Sequence, residues 1–114
     1  MNKIIFLIFF VSFEVALGNN FEVENAKVAL NGIQKCITKT ETLYSCTSLY
    51  LETGISKIKR RRYIEFFKRF KNIKVQDSCP IANALCIEIE KGNFLKKGYI
   101  QFSNHYKITA IITK

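Results

Sequence analysis

The sequence contains one histidine, His105, and half as many acidic as basic side chains. The scarcity of histidine bears first on metals. A zinc site asks for closely spaced Cys-x2–4-Cys pairs or for neighbouring histidines. The four cysteines are instead spaced C-x9-C (Cys36, Cys46) and C-x6-C (Cys79, Cys86). No metal site and no cofactor is expected. His105 also has no evident nucleophile or acid partner, and its Ser-Asn-His-Tyr setting reads as a solvated loop. No phosphate loop and no nucleophile elbow occurs. Glu88 and Glu90 come nearest to a carboxylate pair, which can do acid–base work at a glycosidic bond. Their alternation with Ile87 and Ile89 marks them instead as the wet face of a half-buried strand. No catalytic residue is assigned, and the protein is expected not to be an enzyme.

No Asn-x-Ser/Thr triplet, internal repeat or low-complexity tract occurs, and after the first eighteen residues no apolar run is long enough to span a bilayer. The first eighteen carry the tripartite pattern of a secretory signal. Lys3 is the positive end, Ile4 to Phe13 is the apolar stretch, and Ala16-Leu17-Gly18 places small residues before Asn19. A spanning helix needs roughly 20 apolar residues, so cleavage rather than anchoring is expected. The reading is a signal peptide over 1–18 and one small domain over 19–114, exported and secreted to the extracellular space.

Formal net charge is +9. Loss of 1–18 removes one base and one acid and leaves that value unchanged. Nine of the basic side chains fall within 57–74, with Glu65 the only acid among them. The helical period there predicts an amphipathic helix from Lys57 to Lys74, its apolar stripe formed by Ile58, Tyr63, Phe66, Phe67, Phe70 and Ile73. Lys59, Arg60, Arg61, Arg62, Lys68, Arg69 and Lys71 would then form an anion-binding face. Lys59-Arg60-Arg61-Arg62 also resembles a basic processing site, which a continuous helix would protect.

Elsewhere, Val23, Ala26, Leu30, Ile33 and Ile37 recur at helical spacing over 20–37, with Gly32 a weak point. Thr38 to Thr40 reads as a break. Leu43, Cys46, Leu49 and Tyr50 suggest a second short helix. Gly54 suits a stop and Ser56 the cap of the basic helix. Pro80 fits the first turn of a short helix through Ala84. After Cys86 the period becomes two. Ile87 to Glu90, Gly98 to Phe102 and Tyr106 to Thr113 read as strands, with turns at Lys91-Gly92-Asn93 and Ser103-Asn104-His105. The expected class is α+β and helix-rich: antiparallel helices stapled by two disulfides, with a small C-terminal antiparallel meander.

An even cysteine count in an exported chain argues for two bridges. Four cysteines allow three connectivities. A continuous helix from Cys36 towards Gly54, with the basic helix returning beside it, would span about 27 Å each way. Cys79 would then arrive level with Cys36, favouring Cys36–Cys79 with Cys46–Cys86. The nested alternative, Cys36–Cys86 with Cys46–Cys79, needs a break between Cys36 and Cys46.

The stretch Cys36-x9-Cys46, the helix with Phe66, Phe67 and Phe70, and Asp77-Ser78-Cys79-x6-Cys86 together resemble the opening half of a nematode-type secreted cysteine-rich domain of unknown function. Members of that family carry further cysteines downstream, and residues 87–114 have none. The resemblance implies a secreted, helical, disulfide-bonded domain and assigns no active site. The expected function is that of a non-enzymatic, disulfide-stabilised binding or effector protein whose basic helix contacts an anionic partner. An extracellular sulfated glycan or an anionic membrane surface suits such a face, and no nucleic acid is expected. The alternative is a cationic, membrane-active host-defence protein.

Overall fold

The structure is a computed structural model, and it describes residues 21–39 and 41–113. The predicted signal peptide and Thr40 lie outside the described residues. Three helices precede four strands: α1 (Val23–Cys36), α2 (Leu43–Thr47), α3 (Lys57–Arg69), β1 (Ile73–Val75), β2 (Ala84–Lys91), β3 (Phe94–Phe102) and β4 (Ile108–Thr113). The strands form one antiparallel sheet in the order β1-β2-β3-β4. Among the described residues, no helix is long and apolar enough to cross a membrane.

The core lies between the helices and one face of this sheet. Helix α1 buries Ala26, Ala29, Leu30 and Ile33 through their three- and four-residue spacing. Tyr63 and Phe67 come down from α3, and Leu85, Ile87, Ile89, Ile100, Phe102 and Ile108 rise from the sheet. Leu51 completes the core from the connection between α2 and α3, where it forms a parallel bridge to Ile108. The Ile108 N–H donates to the Tyr50 carbonyl at 2.7 Å, and the Glu52 N–H donates to the Ile108 carbonyl at 3.1 Å. This connection therefore runs along the outer edge of β4.

The helix-rich expectation is overturned by the sheet. Helices take 35% of the described residues and the four-stranded antiparallel sheet 29%. Two segments account for the difference. Ile73 is not the last turn of the basic helix but the first residue of β1, in register with Ile89, while Val75 faces Ile87. Over three residues the alternation Ile-Lys-Val also fits the end of a helical stripe, and only the partner strand decides between them. Phe94 to Lys97 extend β3 well before Gly98. They show no alternation because this end of the β2–β3 hairpin is exposed on both faces.

The disulfides are Cys36–Cys46 and Cys79–Cys86, so both expected pairings are incorrect: one bridge joins α1 to the short α2, the other joins the preceding loop to β2, and neither holds the basic helix. The chain breaks after α1, where the Thr38 hydroxyl donates to the Lys35 carbonyl at 2.8 Å and competes with further helix. It doubles back, and α2 brings Cys46 to a Cα separation of 5.5 Å from Cys36. Residues 80–84 are not helical either. A helix from 79 to 86 would separate its ends by about 10 Å, whereas the Cys79 and Cys86 Cα atoms are 5.2 Å apart. Asn83, at φ +56°, turns the chain into β2 instead. All four cysteines are oxidised, which fits an oxidising compartment.

Candidate anion-binding face

Helix α3 starts at Ser56, whose Oγ accepts from the Lys59 N–H at 3.1 Å. It ends at Phe70, whose backbone leaves helical geometry. Within those bounds Tyr63, Ile64 and Phe67 are buried. The predicted stripe divides. Phe67 is 1% exposed and belongs to the core, while Phe66 and Phe70 are half-buried and Ile58 is 69% exposed. The Phe66 ring stands edge-on to Phe67 and tilts against Phe70, both with centroids 5.2 Å away. These rings step from the core to the surface.

Of the proposed anion-binding residues, Lys59, Arg61, Arg62, Lys68 and Arg69 are exposed on α3. Arg60 is half-buried, and its Nη1 donates to the Ser48 hydroxyl at 2.7 Å. Lys71 lies beyond the helix in the turn to β1, and its carbonyl accepts from Gln34 Nε2 at 3.3 Å. Lys68 approaches Glu65 at 3.7 Å, one turn away on an exposed face. Glu65 is the only acid in the helix and lies in its third turn.

Two shallow grooves flank this helix. One, of ≈ 420 Å³, has Ile58, Phe66 and Phe70 as apolar lining and Arg61, Arg62 and Arg69 as cationic lining, with Glu65 beside them. The other, of ≈ 470 Å³, gathers Tyr44, Ile55, Lys57, Arg60 and Arg61. Arg61 belongs to both. The structure thus brings Arg61, Arg62 and Arg69 together and sets Lys71 apart, in a cleft of ≈ 500 Å³ with Lys74, Glu88 and Glu90.

Sequence reasoning missed Ser48 and Tyr44. Both belong to the α2 region, and nothing in the local pattern links them to a helix twelve residues onward. His105 is exposed in the loop between β3 and β4, where its backbone N–H donates to the Ser103 hydroxyl at 3.2 Å. Glu88 and Glu90 lie on β2 opposite the core face, and Glu88 stands in register between Lys74 of β1 and Lys97 of β3.

No protein-family model, curated protein or solved structure matches this chain.

Proposed function

We propose that this is a secreted, non-enzymatic binding or effector protein, exported by residues 1–18, that contacts an extracellular polyanion such as a sulfated glycan through α3. The observation that carries this reading is the charge of the helix surface. Seven cations occupy Lys57–Arg69 against one acid. The first turn of α3 contains no acid and does contain Lys57 and Lys59, where the helix dipole disfavours positive charge by about 0.3–1 kcal/mol per residue. A bound polyanion would relieve that repulsion. Retention on a heparin column tests the reading. Arg61→Gln with Arg62→Gln should elute at markedly lower salt than the parent, and equal retention would remove α3 as the binding surface.

A second reading, a cationic protein acting on anionic membranes, is favoured by the apolar lining of Ile58, Phe66 and Phe70 between arginines. Basic clusters gain about 1 kcal/mol per Lys or Arg beside anionic lipid. Dye release from anionic vesicles would support it, and retention on heparin without release would support the first.

A further inference from the structure

We propose that the outer edge of β4, past Thr109, takes an extended acidic segment of a partner polypeptide as a fifth strand of the sheet. No residue of α3 takes part, so the proposal does not depend on the polyanion reading.

The sheet order leaves β4 at one edge. Its first residue is already occupied, since Ile108 bonds outward to Tyr50 and Glu52. Beyond that residue the cover stops. The Ile55 N–H donates back to the Glu52 carbonyl at 3.4 Å and turns the connection away, and a Cβ at Gly54 would meet nothing within 4 Å. Helix α3 reaches Thr109 through the Tyr63 hydroxyl, and no helix runs alongside the strand.

The ladder decides which backbone groups face outward. The Phe102 N–H donates to the Asn83 carbonyl, on the β2 side, at 2.8 Å. Successive residues of an antiparallel strand bond to alternate sides, so Gln101 and Tyr99 bond toward β4. Their partners Ala110 and Ile112 bond back. Ile111 and Thr113 therefore turn their N–H groups outward, and no backbone group of the described residues bonds to them on that side.

Folded proteins guard such an edge with lysine, proline, a bulge or a cover. At the opposite edge β1 is three residues long and carries the exposed Lys74 at its centre. Strand β4 has its cover and its bulge only at the start. Phe102 faces Ile108 and Gln101 faces Ala110, which leaves Thr109 as the extra residue. The four residues that follow contain neither charge nor proline.

An extended chain is the occupant whose own N–H and C=O groups match this row. Charge selects which chain. Residues 94–113 hold Lys96, Lys97 and Lys107 and no acid, and the whole protein is +9. A second copy would set +9 against +9, whereas an acidic segment is attracted. Lys107 precedes one end of the open edge. Lys97 stands at the other, next to Gly98, which pairs with Thr113. Ile111 packs on the core, so Ile112 points to the opposite face, where it is 41% exposed beside Tyr99. An apolar residue of the added strand would pack there.

The test is amide hydrogen exchange on the parent protein with a capped octapeptide of alternating glutamate and valine. The peptide should slow exchange at Ile111 and Thr113 about tenfold. Ala110 and Ile112, already bonded to β3, should change far less. A lysine–valine octapeptide should bind about tenfold more weakly. Thr113→Pro removes one outward donor at an edge position that tolerates proline. It should melt as the parent does, keep its heparin retention and lose most peptide binding. The proposal fails if the acidic peptide does not bind, or if it binds and leaves exchange at Ile111 and Thr113 as it was. It fails equally if the lysine peptide or the folded proline variant gives parent affinity, or if the protein alone protects these amides in a concentration-dependent dimer.

Discussion

Phe66, Phe67 and Phe70 look alike in the sequence and do different things in the structure. Phe67 fills the core between α1, α3 and the sheet. Phe67→Ala should cost about 3–5 kcal/mol, the range for truncating a buried phenylalanine, read from the urea midpoint. Phe66 and Phe70 are half-buried beside the arginine-lined groove, so their truncation should cost about half as much or less. Gly98 presents a sharper case. A Cβ there would run into the Ile112 carbonyl across the β3–β4 ladder, which is backbone and cannot swing aside. Gly98→Ala should lower stability by about 1–3 kcal/mol, the usual cost of overpacking. An unchanged melting temperature would contradict the close approach of these two strands. Gly32 reads from sequence only as a weak helix position. In the fold a Cβ there would fall on the Tyr50 ring, so the glycine makes room for the connection to β4.

Among the elements, α3 was the most legible. Its start at Ser56, its aromatic residues and its cationic surface are all local features. Ser56→Ala removes the cap and should cost about 1 kcal/mol, visible as a small fall in thermal midpoint. Helix α1 was legible for the same reason, since its buried face repeats at three and four residues. The sheet was legible only where one face is buried. Ile87 and Ile89 alternate with Glu88 and Glu90 and announce β2. Phe94 to Lys97 do not alternate, because no core covers them. β1 is three residues long, and its identity depends on Ile89 and Ile87, more than ten residues away. The candidate face was legible as a list of cations but not as a surface. The bond from Arg60 to Ser48 ties one arginine to α2, so a triple variant that includes Arg60 would disturb packing as well as charge. Arg61, Arg62 and Arg69 are the residues to change.

At the scale of the molecule, both disulfides close short local loops, with separations of 10 and 7 residues. Neither ties the helices to the sheet, so that junction has no covalent link and is held by apolar burial and by hydrogen bonds such as that from the Tyr63 hydroxyl to the Thr109 carbonyl at 3.5 Å. In the chain-entropy view each bridge contributes about 2–3 kcal/mol. Replacing Cys36 and Cys46 together by alanine should lower stability by that amount, measured by denaturant unfolding. Peptide mapping without reduction should recover Cys36 linked to Cys46 and Cys79 linked to Cys86. Pairing was not legible because an unbroken helix after Cys36 and a single turn there place Cys46 at opposite ends of the geometry, and the local sequence fits both. We propose that exposed charge on α3 makes this a polyanion-binding protein. The most direct measurement is the affinity for a heparin oligosaccharide, by titration calorimetry over a salt series, for the parent and for Arg61→Gln/Arg62→Gln/Arg69→Gln. The screening length falls from about 30 Å at 0.01 M to about 3 Å at 1 M salt. Parent affinity should drop steeply across that range, and the folded variant should bind weakly and nearly independently of salt. Equal affinity and equal salt dependence for the two proteins would contradict it.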